Sequence, residues 1–126
     1  MIKIPVSVGE LADKITILRI KKEKISDETK LKNISKELKS LEKKFYSLDI
    51  NHEVLNVMEE LSQINKKLWE VEDNLRVMES ANDFSEDFIG SARSVYKLND
   101  QRFIYKKAIN IITQSKIVEE KSYKEY

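Results

Sequence analysis

The most regular pattern of hydrophobic positions in the chain runs from Val54 to Met78. Its apolar residues are separated alternately by three and four positions, the spacing that places side chains on one face of an α-helix. They are Val54, Val57, Leu61, Ile64, Leu68, Val71, Leu75 and Met78. A helix over this stretch extends for roughly 36 Å at about 1.5 Å per residue, so we expect other helices to lie along it. The pattern predicts an all-α protein with a long helix over residues 53–79.

Stretches with similar spacing predict three further helices. These span residues 8–25, 28–48 and 85–112. The first opens with a capping box, in which the Ser7 hydroxyl and the Glu10 carboxylate satisfy free backbone amides. The second follows Asp27, whose carboxylate is suited to cap it, and the last follows a break in which Asp83 or Ser85 is the expected cap.

The connections between these helices predict how they are arranged. Because only a few residues separate the second helix from the third, we expect these two to form an antiparallel αα-hairpin. The residues expected at its seam are Leu38, Leu41, Phe45, Leu61, Ile64 and Leu68. The predicted fold is an antiparallel bundle of about four helices in one domain over residues 1–126, with a long coiled-coil-like hairpin and a short extended N-terminus. The polar tail over residues 113–126 is expected either to dock or to fray.

Composition favours a small soluble protein that forms pairs. The chain has 126 residues, 40% of them hydrophobic, which is enough for one core, although a long apolar stripe in so short a chain favours a homodimer. Charged residues nearly cancel to a net charge of +1, so nucleic acid is not an expected partner. No apolar run approaches the length of about 20 residues that a membrane span needs, and we expect a cytoplasmic protein.

Few residues are available for metal or thiol chemistry. The chain contains no cysteine and a single histidine, which rules out disulfides, thiolate chemistry and imidazole-rich metal sites. We therefore expect no cofactor, although magnesium held by carboxylates stays open.

Polar residues interrupt the apolar faces at helical spacing. One line on the third helix consists of Asn65, Trp69, Glu72 and Arg76, and another on the fourth consists of Asn99, Arg102, Lys106 and Asn110. Glu10 and Lys14 add polar side chains from the first helix. These lines either meet in a polar pocket or are solvated faces carrying ion pairs such as Glu72 with Arg76.

Four blocks of the sequence resemble an uncharacterised family of small bacterial and phage proteins, a domain of unknown function. The blocks are IPVSVGELADKITIL, INKKLWEVEDNLR, FIGSARSVYKLNDQRFIYKKAIN and IVEEKSY. The genes of this family often accompany glycosyltransferases for lipopolysaccharide and other surface polysaccharides, but the resemblance implies no established activity. Its motifs include Glu10, Asp13, Lys14, Asn65, Trp69, Asp73, Arg76, Arg93, Asn99, Asp100, Arg102, Lys106, Glu120 and Lys121.

These observations favour an accessory or anionic-ligand-binding module associated with surface-polysaccharide biosynthesis. The candidate ligand-binding residues are Glu10, Lys14, Trp69, Glu72, Asp73, Arg76, Arg93, Asn99, Arg102 and Lys106. The basic residues would hold a phosphate or carboxylate, and Trp69 or Tyr96 would stack on a ring. We expect Arg76, Arg102 and Lys106 to converge on one cleft with Glu72 or Asp73.

Two other functions stay open at this point. One is a small helical enzyme acting on a phosphorylated or nucleotide substrate, with Glu72 or Asp73 as base or magnesium ligand. The other is a structural homodimer that serves as a scaffold for a glycosyltransferase.

Overall fold

The computed structural model of the chain describes residues 1–126 and contains four α-helices. They are α1 (Val8–Lys24), α2 (Glu28–Tyr46), α3 (His52–Ser80) and α4 (Glu86–Ile112). The predicted all-α class and the four helices are confirmed, and every helix end lies within two residues of its predicted position.

The starts of the helices follow from local side-chain chemistry. The Ser7 hydroxyl accepts the N–H of Glu10 at 3.1 Å, and Asp27 caps α2 in the same way. The predicted capping box is incomplete, because the Glu10 carboxylate pairs with Lys106 instead of the backbone. Ser85 precedes α4 but makes no side-chain capping hydrogen bond.

The first helix is the common element of the fold. It contacts each of the other three helices, and it is buried on most of its sides. The predicted hairpin of α2 and α3 is wrong: no Cα atom of α2 lies within 8 Å of a Cα atom of α3, because α2 packs on α1.

The long hairpin of the protein is formed by α3 and α4. They contact each other across a connection over residues 81–85, too short for any arrangement but an antiparallel one. The fourth helix is also antiparallel to α1, because Asn110 lies against Gly9 and Arg102 lies against Asp13. The antiparallel bundle is therefore present, with a different pair of helices as its long hairpin.

One apolar core joins all four helices. Its buried residues are Leu11, Ala12, Ile15, Leu18, Ile34, Leu38, Phe45, Val54, Met58, Leu61 and Ile109. All eight apolar positions of the stripe on α3 are buried or half-buried, so the inward face of this helix was correctly predicted. The stripe is covered within a single chain by α1 and α4.

At one point α1 and α4 approach each other with almost no space between their backbones. A Cβ atom added to Gly9 would meet the carbonyl oxygen of Lys106 without room for either atom. The N–H of Gly9 donates a hydrogen bond of 2.7 Å to the side-chain oxygen of Asn110. This close approach brings the polar residues of the two helices together.

Candidate functional site

A network of polar side chains lies buried where α1, α3 and α4 meet. Its centre is the carboxylate of Asp13, which is 1% exposed. The side-chain amide of Asn65 on α3 donates to Asp13 Oδ1 and to the Thr16 hydroxyl oxygen, each at 2.9 Å. The Thr16 hydroxyl donates in turn to the backbone oxygen of Asp13 at 2.7 Å. A buried carboxylate is tolerated here because each of its oxygens accepts a hydrogen bond, Oδ1 from Asn65 and Oδ2 from Arg102.

The positive partner of Asp13 is Arg102 on α4. Its Nε and Nη2 atoms donate to the two oxygens of Asp13 at 2.8 Å and 2.5 Å, a bidentate pair that links α1 to α4. These hydrogen bonds to Asp13 raise the pKa of Arg102 above its usual value, and burial opposes them only in part. The remaining nitrogen, Nη1, has only a contact of 3.5 Å with the side-chain oxygen of Asn99.

One turn further along α4, Lys106 is enclosed by two carboxylates. Its ammonium lies 2.7 Å from an oxygen of Glu10 on α1 and 2.7 Å from an oxygen of Glu119 in the C-terminal tail. Burial by itself lowers the pKa of Lys106, but the hydrogen bonds to Glu10 and Glu119 outweigh it, so that the pKa is raised.

The raised pKa has a defined effect on stability. It favours the folded state fully below the unfolded-state pKa of a lysine, about 10.4. The contribution of Lys106 is therefore present at neutral pH and is lost only as the pH rises through its folded-state pKa.

A wide cleft of about 1050 Å³ opens beside these residues, between α4 and the C-terminal tail. We call it the tail cleft. The side chains of α4 along its floor are Val95, Tyr96, Asn99, Asp100, Arg102, Phe103 and Lys106, and much of its wall is formed by residues 119–124 and Tyr126. The tail therefore docks, which decides between the two outcomes expected from the sequence.

A second cleft of about 510 Å³ lies on the other side of Arg102, between α3, α4 and α1. We call it the tryptophan cleft, because the half-buried indole of Trp69 lines it. Its other lining residues are Ile17, Ile20, Asn65, Leu68, Glu72, Asp73, Arg76, Asn99 and Arg102. Arg102 and Asn99 line both clefts, so the two meet at these side chains.

The candidate residues are distributed over both clefts. Arg76 lines the tryptophan cleft and Lys106 lines the tail cleft, so the predicted convergence of these two with Arg102 on one cleft is wrong. Arg76 is bound to Glu72 of its own helix at 2.9 Å, which is the solvated ion pair that the spacing also allowed. The prediction failed because Lys106 is held by Glu10 and Glu119 in the tail cleft, one turn beyond Arg102.

Two candidates lie outside both clefts. Lys14 and Arg93 are exposed, and neither lines the tail cleft or the tryptophan cleft. Among the acidic side chains and the single histidine, no group of three or more is close enough to hold a metal ion.

Asp13, the residue on which the network depends, does not belong to the polar lines that helical spacing indicates. A signal for it was present: Gly9, Asp13, Thr16 and Ile20 are separated by four, three and four positions, and all are buried. This is a second inward face of α1, beside the one through Leu11 and Ile15. A helix with two buried faces must pack against other helices on both of them. A charged side chain on a buried face needs a partner of opposite charge.

The fold and the site define an all-helical module with a charged network buried between three of its helices and an open cleft on either side of one arginine. The chain belongs to a family of unknown function, DUF6165, whose model matches residues 2–126. The predicted membership of an uncharacterised family is thereby confirmed.

No curated protein and no solved structure matches the chain. None of its helices has both the length and the apolar character that crossing a membrane requires.

Proposed function

We propose that this chain is a binding module for an anionic small molecule, and that Arg102 and Lys106 hold the negative group. The observation that carries the proposal is the position of Arg102. Two hydrogen bonds to Asp13 hold its guanidinium at the place where the two clefts meet. A donor that is already held in place loses little freedom when a ligand binds.

The free edge of Arg102 supports this role. Because Nε and one N–H of Nη2 are used by Asp13, Nη1 is the nitrogen without a close partner, and its contact with Asn99 at 3.5 Å is too long to compete with a phosphate or carboxylate oxygen. Aromatic rings lie on both sides, Tyr96 in the tail cleft and Trp69 in the tryptophan cleft. A ligand that carries both a ring and an anionic group suits these surroundings.

We further propose that the module works in the cytoplasm, in the biosynthesis of surface polysaccharides such as lipopolysaccharide, beside a glycosyltransferase. The basis is the family resemblance, and it makes phosphorylated sugars and nucleotide sugars the first ligands to test. As an enzyme, the chain would need Glu72 or Asp73 as a base. The geometry gives less support to Glu72 in this role, because it is paired with Arg76 on its own helix, whereas Asp73 is exposed at the edge of the tryptophan cleft.

The proposal is tested by adding a negative charge where the two clefts meet. Asn99→Asp places a carboxylate beside Arg102 Nη1, where it preserves the existing contact but repels an incoming anion. Arg102 itself is a poorer choice, because its loss would leave Asp13 buried without its partner, at a cost of about 3 to 5 kcal/mol. We expect Asn99→Asp to weaken binding of a uridine-diphosphate sugar by about tenfold or more, since like charges at an interface are strongly unfavourable.

The matched control is Gln101→Glu, which adds the same charge on α4 at an exposed position that lines neither cleft. Calorimetric titration and melting temperature are measured for all three proteins with phosphate, sulfate and the nucleotide sugar at constant ionic strength. Weaker binding by Asn99→Asp alone supports the site. Equal losses in both variants would indicate a general charge effect, and a wild type that binds none of these anions would refute the proposed function.

A further inference from the structure

The C-terminal tail is attached to the rest of the protein without backbone-to-backbone hydrogen bonds beyond Ser115. Its last backbone hydrogen bond to a helix is the one from the N–H of Ser115 to the oxygen of Asn110, at 2.9 Å. Residues 116–126 form no helix or strand, and they make no backbone-to-backbone hydrogen bond. Side chains alone hold this segment over the tail cleft, so it opens more easily than any helix of the fold.

Apart from the ion pair between Glu119 and Lys106, the side-chain contacts of the tail are few and only partly buried. Lys121 lies 3.5 Å from Asp100 and above the ring of Phe103, and Tyr126 stacks edge-on against Tyr96 at 4.9 Å between ring centres. The apolar side chains that begin the segment do not anchor it, because Ile117 and Val118 are 41% and 47% exposed. Ion pairs and ring contacts at such positions are weak, since water and salt screen them.

The strongest of these contacts is also the one that occupies the proposed site. Glu119 places a carboxylate oxygen 2.7 Å from the ammonium of Lys106, a lysine whose side chain is only 8% exposed. The other carboxylate on Lys106, that of Glu10, belongs to α1 and stays in place when the tail leaves. Of the two, Glu119 is therefore the one that an external anion would replace.

We propose that the tail is a displaceable lid, in which Glu119 acts as an internal anion that competes with the ligand for Lys106. This inference rests on the proposed function, because it concerns the same cleft. On binding, the ion pair between Lys106 and Glu119 is exchanged for one between Lys106 and the phosphate or carboxylate of the ligand. The aromatic floor at Tyr96 and Phe103 is uncovered in the same movement. The measured affinity is then lower than that of the open protein by the fraction of time the lid is open.

The test removes the competing charge and keeps the shape of the side chain. Glu119→Gln in the full chain should bind the uridine-diphosphate sugar more tightly than the wild type, by about five- to tenfold, the lower range of typical coupling between two binding events. The control is Glu125→Gln, which removes the same charge from the same tail at a residue that does not line the tail cleft. It should change the dissociation constant by less than twofold. Melting temperatures verify that all three proteins fold.

Nuclear magnetic resonance relaxation of the ¹⁵N-labelled wild type provides a second measurement. If the tail is a lid, the backbone amides of residues 117–123 become more mobile on the picosecond-to-nanosecond timescale when the protein is saturated with the nucleotide sugar. Binding with an unchanged dissociation constant in Glu119→Gln overturns the lid and leaves the proposed function intact. Weaker binding in Glu119→Gln also overturns the lid, because the tail would then be part of the site. Absence of binding in all three proteins overturns the proposed function together with the lid.

Discussion

Gly9 and Lys106 mark the point at which α1 and α4 are closest, and the charged network depends on that proximity. Without a side chain at Gly9, the backbone of α1 lies directly on the carbonyl of Lys106. This brings Glu10 within 2.7 Å of the ammonium of Lys106 and, one turn further, Asp13 against Arg102. A glycine near the start of a helix is usually a small loss of stability, but here it permits the packing that aligns two ion pairs.

The two glycines of the chain give a matched test of this packing. Gly90, within α4, has no atom within 4 Å of an added Cβ, so Gly90→Ala should stabilise the fold by about 0.5 to 1 kcal/mol through helix propensity. Gly9→Ala should instead destabilise it by about 1 to 3 kcal/mol, because the helices must separate to make room. Urea unfolding followed by circular dichroism measures both free energies. A stabilising Gly9→Ala would show that α1 and α4 are not in close contact.

At the scale of elements, the helices were predictable and their partners were not. Spacing and capping are local properties, and they placed every helix end within two residues. The choice of neighbour depends on which of several apolar faces fit together. The stripe through Leu38 and Phe45 on α2 could serve equally against α3 or α1, and the structure places it on α1. The second buried face of α1, which includes Asp13, is what allows three helices to pack around it.

The motif that ends the two long helices was not predicted, although the positions of their ends were. Both end in a Schellman motif, in which a residue after the helix has positive φ and the next N–H bonds back to the helix, as Asp83 does to Met78 and Ser115 to Asn110. The residues with positive φ are Asn82 and Gln114, each at 53°. Since glycine usually signals this motif, neither position revealed it.

The motif at the end of α4 allows a prediction. Gln114→Gly should stabilise the protein by about 0.5 to 1 kcal/mol, because glycine adopts positive φ without the cost that a larger residue incurs there. The same substitution at exposed Gln101, within α4, should destabilise it by about 1 kcal/mol through loss of helix propensity. Thermal unfolding measures both. A destabilising Gln114→Gly would contradict the described end of α4 and, with it, the starting point of the tail.

At the scale of the whole molecule, the hairpin of α3 and α4 extends beyond the other helices. The third helix has 29 residues and α1 has 17, which at about 1.5 Å per residue leaves roughly 18 Å of α3 that α1 is too short to cover. Around the connection, Val77, Phe84 and Ile89 are more than half exposed. The homodimer was predicted from the apolar stripe on α3. Because α1 and α4 cover this stripe within one chain, it no longer supports the prediction. We predict that a second copy would bind at these three exposed apolar side chains near the tip of the hairpin.

The homodimer stays a prediction, and it is tested at this tip. Light scattering at micromolar concentration should give twice the chain mass of 14.8 kDa. Phe84→Asp should convert the dimer to a monomer, because it places a charge in the apolar contact. Ile111→Asp, at an exposed position near the other end of α4, should leave the dimer unchanged. A monomeric wild type would reject the dimer.

The most direct test of the proposed anion site is a titration of the ¹⁵N-labelled full chain with a uridine-diphosphate sugar, followed by nuclear magnetic resonance. We expect saturable shifts of the Arg102 Nε–H signal, of the backbone amides of Asn99 and Lys106, and of residues 117–123 in the tail, because all of these border the tail cleft or the lid over it. Signals of exposed Lys14 and Arg93 should not move, since neither residue lines a cleft. Absence of saturable shifts, or shifts confined to scattered surface lysines, would contradict the assignment of Arg102 and Lys106 as an anion-binding site.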